Sequence, residues 1–183
     1  MDPIVAAALK KWPNVPHCYG WLALDARGDW YMRDERIQAA GPFPQVKGSR
    51  IEHEKLRDFI ARNYACDEAG AWYFQNGPQR VYVELEAAPY VWRLAPGGPS
   101  EPPAIASHVG NEARFRSAQV DEKGRVFLDT DAGYGIVHTL DMEAAADAVE
   151  RGHWAVEPVA FAALPGRFGY RLRADAPPSK ATS

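Results

Sequence analysis

A seven-residue motif that recurs three times constrains the fold more than any other feature of the chain. In each copy an Asp is followed by two variable residues, a Gly, one further residue and two large apolar or aromatic residues. The copies span residues 25–31, 67–73 and 121–127. An Asp that opens a turn accepts hydrogen bonds from the backbone after it, and a Gly in fourth place adopts the left-handed conformation. The motif therefore predicts three hairpin corners in preference to three catalytic aspartates.

Apolar spacing and capping residues predict a short N-terminal helix and one helix in each half. Residues 2–12 open with Asp-Pro, which suits a helix start. Residues 49–64 have Ser49 and Glu52 at the spacing of a capping box and place their apolar residues on one face. Residues 141–151 end directly before a Gly, as helices commonly do. These are the helical segments that we expect.

Strands with alternating apolar and polar residues surround these helices, and the last two form a predicted hairpin within residues 155–173. Each half then runs hairpin, helix, strands. The predicted fold class is α+β, with two similar repeats that each form a mostly antiparallel sheet with one helix, plus the N-terminal helix.

A stretch rich in Pro and Gly divides the chain and resembles a linker. We therefore predict one compact unit made of five segments. They are residues 1–17 (N-terminal helix), 18–95 (first repeat), 96–112 (linker), 113–175 (second repeat) and 176–183 (loose tail).

Composition excludes several classes of protein. The formal net charge of −3 provides no global basic field for nucleic acid. No apolar run approaches the ~20 residues of a membrane span, and the first residues lack the basic region of a signal peptide. Cys18 and Cys66 are the only cysteines, which is typical of a reducing compartment. We therefore expect a cytoplasmic protein that binds neither nucleic acid nor membrane.

Chemistry-bearing motifs are missing from the sequence. The five histidines have no zinc-ligand spacing, and no nucleophile elbow or phosphate loop is present. We therefore predict no catalytic residue, no metal and no cofactor. The histidines are His17, His53, His108, His138 and His153.

Six tryptophans in 183 residues are many for a globular chain. If Trp30 and Trp72 lie on equivalent strands beside the helix, they would line a cleft together with nearby arginines. The alternative is that the aromatic residues form core and cross-strand packing pairs. The residues of this predicted ligand site are Trp30, Tyr31, Arg33, Trp72, Arg80 and Trp92.

Two charged patterns leave a binding and a structural interpretation open. Glu84 and Glu86 share one face of a strand, as paired carboxylates would, but a solvated strand beside arginines has the same pattern. The arginines of the last predicted hairpin would either bind an anionic ligand or protect an edge strand. These arginines are Arg167, Arg171 and Arg173.

Four segments, taken in order, resemble a bacterial (proteobacterial) family of uncharacterised proteins built from two repeats of a strand–helix–strand motif. They are residues 25–31, 49–64, 67–74 and 79–90. The resemblance implies the repeat architecture and a role described only in general terms as signalling. It implies no catalytic residues. The chain departs from the family pattern at residues 76–79 and in the loop at residues 41–48.

These observations lead to a functional hypothesis with two alternatives. We expect a non-enzymatic module that binds an unknown small molecule or protein and has a regulatory or signalling role. The first alternative is an enzyme of unrecognised type with a polar cleft between the repeats, in which His138 or His53 works beside a carboxylate. The second is a homodimer formed through the N-terminal helix and a Trp-rich face.

Overall fold

The computed structural model describes residues 1–178, and these form two β-sheets and five α-helices. This confirms the predicted α+β class and the N-terminal helix. The helices are α1 (Pro3–Lys11), α2 (Glu35–Ala40), α3 (Glu54–Arg62), α4 (Met142–Glu150) and α5 (Leu164–Phe168). Short 3₁₀ helices at Thr139–Asp141 and Phe161–Ala163 precede α4 and α5. No helix of residues 1–178 is long and apolar enough to cross a membrane.

The first sheet contains six strands in the order β3-β2-β1-β6-β5-β4. At its centre β1 is antiparallel to β2 and parallel to β6. The strands are β1 (Cys18–Leu24), β2 (Trp30–Met32), β3 (Ser49–Arg50), β4 (Tyr64–Cys66), β5 (Trp72–Asn76) and β6 (Gln79–Leu85).

The second sheet repeats this plan. Its order is β13-β10-β11-β12-β7-β8-β9, and its central strand β7 is antiparallel to β8 and parallel to β12. Read from the other end, strands 9-8-7-12-11-10 match strands 3-2-1-6-5-4. The strands are β7 (Tyr90–Ala95), β8 (Ala104–Ser107), β9 (Glu112–Ala113), β10 (Phe115–Val120), β11 (Val126–Thr130), β12 (Gly133–Val137) and β13 (Val156–Pro158). The prediction of two similar repeats is thereby confirmed.

The segment boundaries expected from the sequence differ from the sheet membership. The strand β7 lies within the predicted first repeat (residues 18–95) but pairs in the second sheet. The predicted linker (residues 96–112) contains β8 and most of its hairpin with β9. The Pro- and Gly-rich residues form a hairpin loop, because hairpin loops and linkers share the same composition. The helix α4 also follows the strands of its sheet instead of separating them.

The three predicted turns share one geometry. In each, Oδ1 of the Asp accepts hydrogen bonds of 2.9–3.0 Å from the backbone N–H groups two and four residues later. The fourth-position glycines Gly28, Gly70 and Gly124 have φ of 84°, 85° and 76°. Each Asp N–H and C=O also closes a backbone bond within the turn. At each corner the Asp carboxylate therefore accepts hydrogen bonds from turn N–H groups that have no partner strand.

A fourth turn of the same form was not predicted. Between β8 and β9, Ser107 takes the place of Asp, and its Oγ accepts from the N–H of Asn111 at 3.0 Å. Gly110 occupies the fourth position with φ of 93°. The motif was not found here because it was defined by Asp, whereas the Ser107 hydroxyl can accept the same hydrogen bond as the carboxylate.

Two core clusters hold the layers together. The first takes Leu24 and Val83 from the first sheet and Phe127 and Ile136 from the second, and also includes Ile60 of α3. The second lies between the other face of the second sheet and the small residues of α4, as the alternation along β11 requires. The first cluster therefore joins the two repeats directly.

Two local predictions were wrong. Ser49 lies in β3 instead of capping a helix, because the edge of β2 offers it strand pairing, and α3 begins after His53. The expected last hairpin is absent from the described residues, where a 3₁₀ helix and α5 follow β13. Its arginines consequently diverge. They bond to Glu157 (Arg167), Asp175 (Arg171) and Glu84 (Arg173). Of the predicted loose tail, residues 179–183 lie outside the described residues.

Four histidines use the ring nitrogen Nδ1 to accept a backbone N–H. The acceptors and donors are His17 with Arg80, His53 with Leu56, His108 with Val91, and His138 with Leu140. The ring of His108 is enclosed by aromatic neighbours, and burial lowers its pKa to about 3. The low pKa keeps the ring of His108 neutral. Each of the four rings serves as a structural acceptor of a backbone N–H.

The buried turn carboxylate of Asp121 predicts a large mutational effect. Asp121→Ala should lower the free energy of unfolding by about 1–3 kcal/mol, because two N–H groups and a guanidinium lose their acceptor. Urea denaturation measures the change. Lys123→Ala, at an exposed position of the same turn, is the control and should change stability by less than about 0.5 kcal/mol. Equal effects of the two variants would contradict this account of the turn.

His108 predicts a pH dependence of stability. The unfolded chain binds a proton here below about pH 6.5, while the folded ring stays neutral, so stability should fall as pH decreases. The contribution of this ring is about 1.4 kcal/mol per pH unit below that value. His108→Asn retains an acceptor but does not titrate. Its urea midpoint should depend less steeply on pH between 5 and 6.5, and parallel curves would argue against a neutral buried ring.

Candidate functional site

A groove of about 420 Å³ lies where the two repeats meet, and we call it the inter-repeat groove. Two carboxylates of β6 line it from the first repeat, and the turn between β10 and β11 lines it from the second. Its lining includes Phe43, Glu84, Glu86, Lys123, Arg125, Phe161, Leu172 and Arg173. Both charged and aromatic side chains therefore face one space.

The carboxylate wall follows from the alternation of β6. Val83 and Leu85 point into the core, so Glu84 and Glu86 point to the opposite face. Glu84 pairs with buried Arg33 at 3.1 Å and with Arg173 at 3.3 Å. The backbone bond from Leu85 N to Leu172 O positions Arg173 beside this strand.

A buried charge network supports this wall from behind. Oδ2 of Asp25 accepts from Lys47 Nζ and from the Tyr31 hydroxyl, each at 3.1 Å. Lys47 also approaches Glu86 at 3.8 Å. Although burial opposes ionisation of Asp25, the backbone N–H donors and Lys47 hold the pKa of its carboxyl below the usual value. Asp25 is thus a charged anchor for the loop that carries Lys47.

The cationic wall is built on the third turn. Arg125 donates from Nε to Asp121 at 2.7 Å, and its guanidinium lies 4.5 Å from the ring centroid of Phe161. Glu122 fastens Phe161 to the turn by accepting its N–H at 2.8 Å. Lys123 is exposed on the same turn. The wall combines a fixed guanidinium with a mobile ammonium group.

Three residues of the site predicted from the sequence lie in a continuous array of rings. Trp30 and Trp72 pack against Tyr64 at centroid distances of 5.3 and 4.7 Å, and Tyr90 connects Trp72 to Trp92 at 5.2 Å on each side. Trp30 and Trp92 are 3% and 0% exposed, whereas Trp72 is partly exposed. The array bridges the two core clusters.

The other three predicted residues lie elsewhere. Tyr31 and Arg33 stand behind the inter-repeat groove, where they contact Asp25 and Glu84. Arg33 also donates to the carbonyls of Gly41 and Val46 and so holds the loop that contributes Phe43. Arg80 lies 4.4 Å over the ring of Tyr73, at a separate depression that includes Cys66. The structure therefore does not bring the six residues into one cleft.

Sequence reasoning did not assemble the groove, although two of its signals were visible. The common face of Glu84 and Glu86 is visible in the sequence, but a binding site and a solvated strand have the same pattern. Lys123 and Arg125 belong to the third turn motif, which by itself indicates no ligand. Phe161 carried no signal, because its place in the groove depends on the 3₁₀ helix that replaces the expected hairpin.

Within residues 1–178 no group of three or more His, Cys, Asp or Glu side chains is arranged to hold a metal ion. The hydrogen bonds of these residues also join no histidine to a carboxylate, and in four of the histidines Nδ1 accepts a backbone N–H. The groove as built offers charge and apolar surface, which are the means of binding an organic molecule.

Comparisons with known proteins concern family and fold. No curated protein matches the chain. A DUF1285 family protein from Silicibacter pomeroyi DSS-3 is similar in structure, with 16% identity, coverage of 80% of this chain and 84% of that chain, and a TM-score of 0.49. A second, from Shewanella baltica OS155, has 14% identity, coverage of 69% and 91%, and a TM-score of 0.46.

The family model DUF2944, described as "Protein of unknown function (DUF2946)", matches residues 1–174. The match spans almost the whole sequence and confirms the resemblance to an uncharacterised family. The chain therefore belongs to this family of proteins of unknown function.

Proposed function

We propose that the protein is a non-catalytic module that binds a small molecule in the inter-repeat groove and has a regulatory role. The observation that carries the proposal is that Glu84 and Glu86 of one repeat and Lys123 and Arg125 of the other line the same space. A ligand there touches both repeats at once. This position supports a regulatory role, since occupancy would bias how the repeats pack.

The size and lining of the groove support a small organic ligand. About 420 Å³ is within the range of pockets that hold metabolites. Phe161 and Leu172 offer apolar contact, while a few charged groups give orientation. This combination is typical of ligand sites, in which apolar contact provides affinity and polar groups provide specificity.

Binding is better supported than catalysis. An enzyme of the type considered from the sequence would place His138 or His53 beside a carboxylate in a polar cleft. In the described residues the Nδ1 atoms of both rings are occupied by backbone N–H groups. Burial and nearby arginines also lower the pKa of His138. A neutral His138 is unsuited to donate a proton near pH 7.

A cytoplasmic location is part of the proposal. Cys18 and Cys66 are both free thiols, and Cys66 is exposed. An exposed thiol is more readily maintained in a reducing compartment. Homodimerisation also stays a prediction, supported by the exposure of Ile4 (77%) and Trp12 (50%) on or beside α1.

A thermal-shift screen against cellular metabolites tests the groove. A ligand at a hundred times its Kd stabilises the folded state by about 2.7 kcal/mol, which raises Tm by roughly 5–11 °C in a domain of this size. Gln45→Trp places a large ring in the groove and should abolish the shift. Lys55→Trp, at an exposed position of α3, should retain it. A shift that survives Gln45→Trp would place the ligand elsewhere.

Sedimentation equilibrium tests the homodimer. We expect twice the monomer mass at high protein concentration, with Ile4→Asp returning the monomer because a charge in an apolar interface is unfavourable. Lys10→Glu, a charge change on the same helix, serves as the control. A monomer at every concentration would exclude this mode of association.

A further inference from the structure

We propose that the ligand of the inter-repeat groove is an organic anion whose carboxylate or phosphate group binds Arg125, Lys123 and Arg173. This inference rests on the proposed function and narrows it to one ligand chemistry. Three observations support it: most acceptors in the groove already have partners, several donors do not, and the lining carries a net positive charge.

Three of the four carboxylate oxygens that line the groove already have partners. Glu84 Oε1 binds Arg173 at 3.3 Å and Glu84 Oε2 binds Arg33 at 3.1 Å. Glu86 Oε2 accepts the N–H of Ala26 and lies 3.8 Å from Lys47. A cationic ligand would have to compete with these partners for both carboxylates.

Donors of the groove are left over. Arg125 uses Nε for Asp121, no hydrogen bond or salt bridge among residues 1–178 uses its Nη1, and its Nη2 is buried in the wall of the groove without a partner in this part of the chain. Lys123 forms no salt bridge with another described residue. Arg173 uses Nε for Glu84 and has a side chain that is 57% exposed. These donors can bind an acceptor supplied by a ligand. A carboxylate or phosphate group provides several acceptor oxygens at once.

Arg125 is held in place before any ligand arrives. Its Nε bond to Asp121 and its position over Phe161 limit rotation of the guanidinium plane. A guanidinium with this restraint loses little freedom when it binds two oxygens of one carboxylate or phosphate. Arg125 therefore sets the orientation of the anionic group, while Lys123 adds attraction.

The local charge favours the same sign of ligand. Three cations and two carboxylates line the groove, so its lining carries one net positive charge although the whole chain carries −3. Behind Glu86, the charge of Lys47 is balanced by Asp25, with which it forms a salt bridge of 3.1 Å, so this pair leaves the net charge of the lining unchanged. Phe161 and Leu172 then accommodate the apolar part of the molecule, which makes an organic anion a better fit than an inorganic ion.

Matched aromatic probes test the inference by calorimetric titration. Benzoate and phenyl phosphate should bind the wild-type protein, and benzamide, an uncharged relative of benzoate, should bind at least about tenfold more weakly. Whichever of the two anions binds more tightly identifies the preferred oxyanion. Affinity for both should fall as salt increases, because exposed charges are screened.

Variants locate the site. Lys123→Ala combined with Arg173→Ala should weaken anion binding by about tenfold or more, and Glu84 retains Arg33 as its partner in this variant. Arg167→Ala is the control, because Arg167 is paired with Glu157 and does not line the groove. Circular dichroism confirms that each variant is folded.

The possible results distinguish the proposal that the groove binds a small molecule from the inference that this molecule is an anion. If benzamide binds as well as benzoate, or if neither anion binds, the anion inference is overturned. If Arg167→Ala weakens binding as much as the double variant, a general surface attraction replaces the site and the inference also fails. A neutral or cationic metabolite whose thermal shift is lost in Gln45→Trp would retain the groove function and exclude the anion.

Discussion

The rest of the structure depends on one interaction, in which an Asp carboxylate accepts hydrogen bonds from two backbone N–H groups of a turn. Each such turn closes a hairpin and leaves the second carboxylate oxygen for a side chain, which is Tyr31 and Lys47, Tyr82, or Arg125. The same three aspartates therefore fix the strand pairs and hold polar side chains at the ends of the sheets. The groove is a consequence, since its cationic wall is the third of these turns and its supporting network contains the first.

Parallel pairing of the first and last strand in each repeat is the second constraint. It places β6 beside β1 and β12 beside β7. The hairpins of each repeat are thereby joined into one sheet, and the two sheets have the same strand order. One face of each sheet contributes to a common core, so the repeats are joined over an apolar surface. The opposite face of β6 then carries Glu84 and Glu86 to the boundary between the repeats.

Much of the fold could be predicted because its signals are local. The three turns, α1, α3 and α4, and the alternation of β6 all depend on residues within a few positions of one another. The last hairpin was mispredicted because the position of the final segment depends on a distant partner. This segment docks through the bond from Leu85 N to Leu172 O, whose ends lie almost half of the chain apart, whereas the stretch expected to be a linker joins the neighbouring strands β7 and β8. Composition alone cannot distinguish a hairpin loop from a linker.

The sequence by itself determined the corners, the helices and the two-repeat plan, because turn chemistry and apolar period act over short distances. It also determined which side chains are charged or aromatic. Only the tertiary structure decided which of them meet. Trp30, Trp72 and Trp92 became a packed array, while Glu84, Glu86, Lys123 and Arg125 came to line one groove. The reason is physical: apolar rings gain most from burial, whereas charged groups stay at the boundary, where water and their partners can reach them.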